Sequence, residues 1–156
     1  RDRLRSRGLG DVYKRQINKD IELFAMEDLD GKKVDLSKMK GKIIVLDFWA
    51  TWCGPCKMAM KQMKPMKKDL EGKDIVYVFI AGENSPKETW DNMIPDIHGE
   101  HYRVTAAQWN YLSKQFSIQG VPTYIIVDKE GGIIQKYTGF PGVDTVKKEL
   151  IKALEK

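Results

Sequence analysis

The sequence of 156 residues suits a single domain with a sizeable core, and 42% hydrophobic with 31% charged residues is typical of a soluble globular protein. No apolar run approaches the roughly 18 residues of a membrane span, so we expect none. The net charge of +5 does not indicate a nucleic-acid-binding protein, because residues 1–16 carry +4 and the other 140 residues only +1.

The basic segment 1–16 has no apolar stretch after its arginines, so it does not have the form of a secretory signal. It also lacks an apolar face and interleaved aromatic residues, apart from Tyr13. We expect residues 1–16 to be a non-native or disordered lead-in, and residues 17–156 to form the folded domain.

Strand and helix patterns alternate along residues 17–156 and favour an α/β fold with a mixed sheet. Short apolar or β-branched runs predict strands at Ile21–Met26, Lys32–Leu36, Ile43–Phe48, Ile75–Ile80, Tyr124–Val127 and Ile133–Tyr137. Helical patterns follow at Lys57–Leu70, from Pro86 to near Pro95, after Thr105, and from Val143 to Leu154.

Two helix starts carry the sequence of a capping box. Ser85 precedes Pro86 and Glu88, and Thr105 stands three residues before Gln108. We expect each hydroxyl to cap the helix that follows it. The histidines between these helices, His98 and His101, are expected to be solvent-exposed.

The two cysteines, Cys53 and Cys56, are too few for a disulfide scaffold, and no second pair completes a Cys₄ zinc site. Cys53 stands where the strand Ile43–Phe48 gives way to a helix, and a helix N-terminus offers unpaired N–H groups and partial positive charge that stabilise a thiolate. Cys56 lies one turn further on, within reach of Cys53. This arrangement favours reversible thiol–disulfide exchange, with Cys53 attacking and Cys56 resolving.

Asp47 is the most informative polar residue, because it interrupts the apolar run Ile43–Phe48. A buried carboxylate is costly unless it is paired or protonated, and such residues are often functional. The alternative is a side chain that turns outward at the end of the strand.

The segment from Phe48 to Lys57, Phe-Trp-Ala-Thr-Trp-Cys-Gly-Pro-Cys-Lys, resembles the active site of thioredoxins. Gly-Val-Pro-Thr-Tyr at residues 120–124 and the overall layout of residues 19–156 are similar to the TlpA/ResA-type branch of the thioredoxin superfamily. The resemblance implies a thioredoxin fold, with a central mixed β-sheet flanked by helices, an N-terminal β-hairpin and an inserted segment before the strand that carries a cis-proline. The sequence departs from many members of the branch by having Ala59 where they have glutamate.

The resemblance also implies roles for individual residues. Pro122 is the expected cis-proline facing the cysteine pair, and Val121 offers backbone hydrogen bonds to a bound peptide. The expected apolar substrate-binding surface around Cys53 consists of Trp52, Gly54, Pro55 and Gly139. Asp47 takes the thioredoxin acid position and is expected to move the proton of Cys56, through water.

The expected activity is thiol–disulfide exchange with protein disulfides, in the reducing direction that a Gly-Pro spacer suggests. This activity requires an upstream thiol reductant but no metal and no dissociable cofactor. We expect the protein to be a monomer that does not bind nucleic acid. The resemblance implies that the protein is extracytoplasmic, and a cytoplasmic location stays open. Two other functions also stay open: a copper-handling module, which Cu(I) titration distinguishes, and a non-enzymatic interaction domain, which an insulin-reduction assay distinguishes.

Overall fold

A computed structural model of the chain describes residues 26–31, 33–34, 39 and 41–156. Residues 1–16 and nearly all of the first predicted strand, Ile21–Met26, lie outside the described residues. Two short antiparallel strands, β1 (Met26–Glu27) and β2 (Lys33–Val34), stand where the sequence predicts the N-terminal hairpin.

Among the described residues, five strands form the central sheet: β3 (Ile43–Trp49), β4 (Ile75–Gly82), β5 (Glu100–Val104), β6 (Thr123–Val127) and β7 (Ile133–Thr138). Their spatial order is β5-β4-β3-β6-β7; β3, β4 and β5 run parallel, and β6 is antiparallel to both β3 and β7. Every residue of β3 is buried, as its nearly continuous apolar sequence predicts for a central strand. The mixed sheet confirms the predicted α/β class.

In the described part of the chain, four α-helices flank the sheet: α1 (Gly54–Asp69), α2 (Lys87–Met93), α3 (Ala106–Phe116) and α4 (Val143–Leu154). A 3₁₀ turn, Ile94–Asp96, follows α2 at the proline that the sequence predicts to end that helix. The capping box of α3 is confirmed, because the Thr105 hydroxyl accepts from the Gln108 N–H at 3.0 Å and the Gln108 side chain accepts from the Thr105 N–H at 2.8 Å.

The core lies on both faces of the sheet, because successive side chains of a strand point to opposite faces. On one face the odd-numbered residues of β3, such as Val45 and Trp49, pack with the buried sides of α1 and α4. On the other face Leu46 and Phe48 pack with α3. This alternation places Asp47 on the face that α1 and α4 cover.

Strand β5 is an element that the sequence did not predict. It pairs with β4 at one edge of the sheet, and the turn after β1 covers it: Leu29 donates to the Arg103 carbonyl at 2.8 Å, and Arg103 donates to the Asp28 carboxylate at 3.3 Å. The expectation that His101 is exposed is therefore wrong. Its ring is buried, stacks on Phe79 at 4.8 Å between centroids, and contacts the Ile97 carbonyl at 2.6 Å.

Within the described part of the chain, none of the helices combines the length and the apolar character needed to cross a membrane.

Candidate active site at the start of helix α1

The cysteine pair forms a disulfide at the junction of β3 and α1. Cys53 is the N-cap of α1, and its Sγ accepts a hydrogen bond from the Cys56 N–H at 3.1 Å. Cys56 is completely buried, whereas Cys53 keeps 5% of its surface exposed. A substrate can therefore reach only Cys53, whose sulfur lies at the positive end of the helix, where the Cys56 N–H would stabilise a developing negative charge.

The turn that precedes the disulfide is held by a residue from another part of the chain. The Thr51 N–H donates to the Ser85 hydroxyl at 3.0 Å, and both residues are buried. The prediction that Ser85 caps α2 is wrong, because the N-cap of α2 is Pro86 and no side chain caps that helix. Ser85 is used instead to satisfy a buried amide of the active-site turn.

The residues around Cys53 leave an open surface. Trp52 has 60% of its surface exposed, and Gly54 and Pro55 form the exposed first turn of α1. Proline is tolerated there because its missing N–H would have no intrahelical partner. An exposed tryptophan next to a reactive sulfur gives a substrate an apolar surface on which to rest.

The loop before β6 comes together with the loop after β7. The Val121–Pro122 peptide bond is cis, as the resemblance implies, and the Pro122 carbonyl accepts from the Gly139 N–H at 2.8 Å. Gly139 has a φ of 87°, a conformation that favours glycine. Val121 packs against the core cluster that contains both cysteines.

Asp47 is buried in the sheet beneath α1, with 2% of its surface exposed. The β3 register places it between Phe79 of β4 and Tyr124 of β6, whose side chains share its face. Neither carboxylate oxygen has a hydrogen-bond partner among the described residues. The alternative of an outward-facing aspartate is therefore wrong.

Burial raises the pKa of Asp47 from 3.8 to about 8, and the nearby ammonium of Lys67 opposes part of this rise. The pKa of the Tyr124 phenol is also raised, first by its burial and second by the charge of Asp47. A carboxyl group whose pKa lies near neutrality can accept or release a proton under ordinary conditions.

Lys67 is the residue of this site that sequence reasoning missed. Its Nζ lies 4.7 Å from the centre of the Tyr77 ring and 5.0 Å from that of Phe79, and it also contacts the His98 carbonyl. Burial lowers the pKa of Lys67 to about 8, and the carboxylate of Asp47 counteracts that shift. The available signal was a lysine at helical spacing from the buried residues Met60 and Met63 of α1.

A disulfide between a buried Cys56 and a partly exposed Cys53 at a helix N-terminus, together with a cis-proline before a strand of the mixed sheet, defines a thioredoxin-fold oxidoreductase. Comparison with known proteins gives the same class. The chain belongs to the Redoxin family, which it matches over residues 16–150.

The relatives include the thiol-disulfide oxidoreductase ResA of Bacillus cereus, which is 28% identical over 129 residues, or 83% of this chain and 73% of the relative. The thioredoxin domain of a thiol-disulfide oxidoreductase from Bacteroides vulgatus aligns with a TM-score of 0.67 at 24% identity, over 80% of this chain and 90% of that domain. A thiol:disulfide interchange protein from Chlorobium tepidum aligns with a TM-score of 0.67, also at 24% identity, over 84% of this chain and 92% of its own. The chain is thus a thiol–disulfide oxidoreductase of the TlpA/ResA type, with a redox dithiol.

Proposed function

We propose that the protein reduces disulfide bonds in other proteins, with Cys53 as nucleophile and Cys56 as resolving thiol. The observation that carries the proposal is the burial of Cys56 behind a partly exposed Cys53 at the start of α1. Only one sulfur can meet an incoming disulfide, and the second is positioned to attack the first.

The reaction begins with the Cys53 thiolate, which attacks one sulfur of the substrate disulfide and releases the other sulfur as a thiolate. The resulting mixed disulfide joins Cys53 to the substrate. The Cys56 thiolate then attacks the Cys53 sulfur, expels the second substrate thiolate and leaves the Cys53–Cys56 disulfide. The two electrons come from the dithiol, and an upstream thiol reductant must restore them.

Asp47 is proposed to remove the proton from Cys56 before the resolving attack, acting through water. Its burial beneath α1 and its pKa of about 8 support this role. The release step should therefore accelerate as the pH rises through about 8. In Asp47→Asn this acceleration should disappear, whereas the first attack by Cys53 should keep its rate.

The substrate surface is proposed to consist of Trp52, Gly54, Pro55, Val121, Pro122 and Gly139. The exposure of Trp52 and the hydrogen bond between Gly139 and Pro122 support this assignment. We further propose that the protein works as a monomer, without metal or dissociable cofactor, because the cysteine pair itself carries both electrons.

Reduction of insulin tests the activity, with dithiothreitol as the electron donor. Wild-type protein should accelerate insulin precipitation, and Cys53→Ser should not. Cys56→Ser should instead accumulate mixed disulfides, which identify the natural substrates by mass spectrometry. A wild-type rate equal to that of Cys53→Ser would refute the proposal. The reduction potential of the pair, measured against glutathione, tests the reducing direction.

An extracytoplasmic location is proposed from the resemblance to TlpA/ResA-type proteins. A maleimide that does not cross membranes should label Cys53 in intact, reduced cells. Labelling only after lysis would place the protein in the cytoplasm.

A further inference from the structure

Helix α1 presents a row of lysines that leads away from the disulfide. Lys57, Lys61, Lys64 and Lys68, called the lysine stripe below, are all exposed and follow one another at spacings of four, three and four residues. Residues at such spacings share one side of a helix, where like charges destabilise it. The first member directly follows Cys56.

None of the four lysines of the stripe forms an ion pair with a described residue. Among the described residues no carboxylate lies within 4 Å of any of its four ammonium groups, whereas Lys87 and Lys147 elsewhere pair with aspartates. Asp69, the acid of α1, is one of these partners, because it binds Lys147 at 3.1 Å. The stripe is therefore a surface of unbalanced positive charge.

A groove of about 840 Å³ runs beside the stripe. Buried side chains of Met60, Met63, Tyr77 and Phe79 line it, together with the partly buried Ile97. Six lysines line the groove, against two carboxylates, Glu71 and Asp96. Apolar lining, adaptable methionines and a positive margin together fit an anionic ligand that also has apolar groups.

We propose that the lysine stripe and this groove bind an acidic segment of the protein substrate, next to the disulfide being reduced. This inference rests on the proposed function, because the stripe starts beside Cys56. From Lys57 to Lys68 the helix rises about 16 Å, which about five residues of extended peptide span. Side chains on one side of an extended peptide repeat at about 7 Å, so acids at alternate positions can each approach a lysine.

Synthetic substrates provide the test. Two peptides of equal length carry the same mixed disulfide, followed by Glu at alternate positions in one and Lys in the other. The uncharged 2-hydroxyethyl disulfide serves as reference, and each second-order rate constant is expressed relative to it. The wild-type protein should reduce the acidic peptide at least about tenfold faster than the basic one at low ionic strength, and salt should diminish this difference.

Charge-reversal variants locate the effect. K61E/K64E/K68E should invert the preference, and K61Q/K64Q/K68Q should abolish it. The matched control K114E/K148E/K152E changes the net charge by the same amount on α3 and α4, and it should keep the wild-type preference. An equal loss in the control would show a general charge effect and overturn the proposal. Equal wild-type rates for the two peptides would also overturn the proposal. So would competition experiments in which a long-chain fatty acid abolishes the preference for the acidic peptide and an acidic peptide without a disulfide leaves that preference unchanged.

The docking proposal and the proposed function fail in different ways. If 2-hydroxyethyl disulfide is reduced but the peptides show no charge preference, only the docking proposal is wrong. If the wild-type protein reduces no disulfide faster than Cys53→Ser does, the reductase function itself is wrong.

Discussion

Replacing Asp47 with asparagine should stabilise the protein at neutral pH. The carboxyl group is buried, its two oxygens have no hydrogen-bond partner among the described residues, and its pKa is raised from 3.8 to about 8. Between these two pH values the unfolded chain releases the proton while the folded protein retains it. The free energy of unfolding therefore falls as the pH rises through this window. Asparagine has nearly the same shape and carries no such proton.

The size of the effect follows from the pKa difference. Each pH unit between 3.8 and about 8 removes about 1.4 kcal/mol from the stability of the wild-type protein. At pH 7 the loss amounts to about 4 kcal/mol, a large fraction of the stability of a typical domain. The two proteins should be nearly equal below pH 4, and the advantage of Asp47→Asn should level off above pH 8.

Urea unfolding of the oxidised proteins at half-unit steps from pH 4 to pH 9 measures this difference. Asp74→Asn is the control, because it makes the same change at an exposed site. Contributions from other titrating groups are common to all three proteins and cancel in the comparison. An advantage for Asp47→Asn that does not grow with pH would refute the reasoning. It would mean that the folded protein holds Asp47 ionised.

Three further predictions concern residues that support the site or the fold. Lys67→Met should raise the pKa of Asp47 above about 8, because the substitution removes the positive charge that opposes the rise. Carboxyl ¹³C NMR measures this pKa, and Lys67→Arg should return it to the wild-type value. Ser85→Ala should leave the buried Thr51 N–H without an acceptor and reduce the free energy of unfolding by about 1–3 kcal/mol, whereas Ser113→Ala should have little effect in the same urea titration. Thr105→Ala should remove the capping box of α3 and cost about 1 kcal/mol by thermal unfolding, and an equal loss in the control Thr145→Ala would contradict this explanation.

The sequence predicts most of the fold where local pattern and tertiary packing agree. The apolar run of β3 predicts only a strand, and the strong amphipathicity of α4 predicts only a helix. Both elements form as expected. The apolar pattern marks helix α1 only from Lys57, whereas the cysteine motif predicts that the helix starts at Cys53; the helix begins at Gly54, with Cys53 as its N-cap. That boundary depends on a sulfur accepting a hydrogen bond, which apolar periodicity does not detect.

The wrong predictions share a cause: a distant partner determined the outcome. Ser85 has the sequence of a helix cap, but its hydroxyl accepts from Thr51, which is 34 residues away. His101 is polar and lies outside any apolar pattern, but the Phe79 ring and the turn at Asp28 bury the strand that carries it. Contacts of this kind depend on the assembled sheet, so no window of local sequence contains them.

The cost of burying Asp47 bears on what the residue does. Phe79 and Tyr124 pair with it across the sheet, and both are buried, so its surroundings disfavour charge. An uncharged residue would give a more stable protein, which means that stability alone does not account for this carboxyl group. The same burial brings its pKa close to neutrality, and Lys67 keeps the pKa from rising further. A group in this state can take up a proton from a buried thiol and return it, and Cys56 lies in the core cluster on the same face of the sheet. The loss of stability and the proposed proton transfer therefore have one physical origin, which is why Asp47→Asn should raise the stability of the protein and impair the proton transfer.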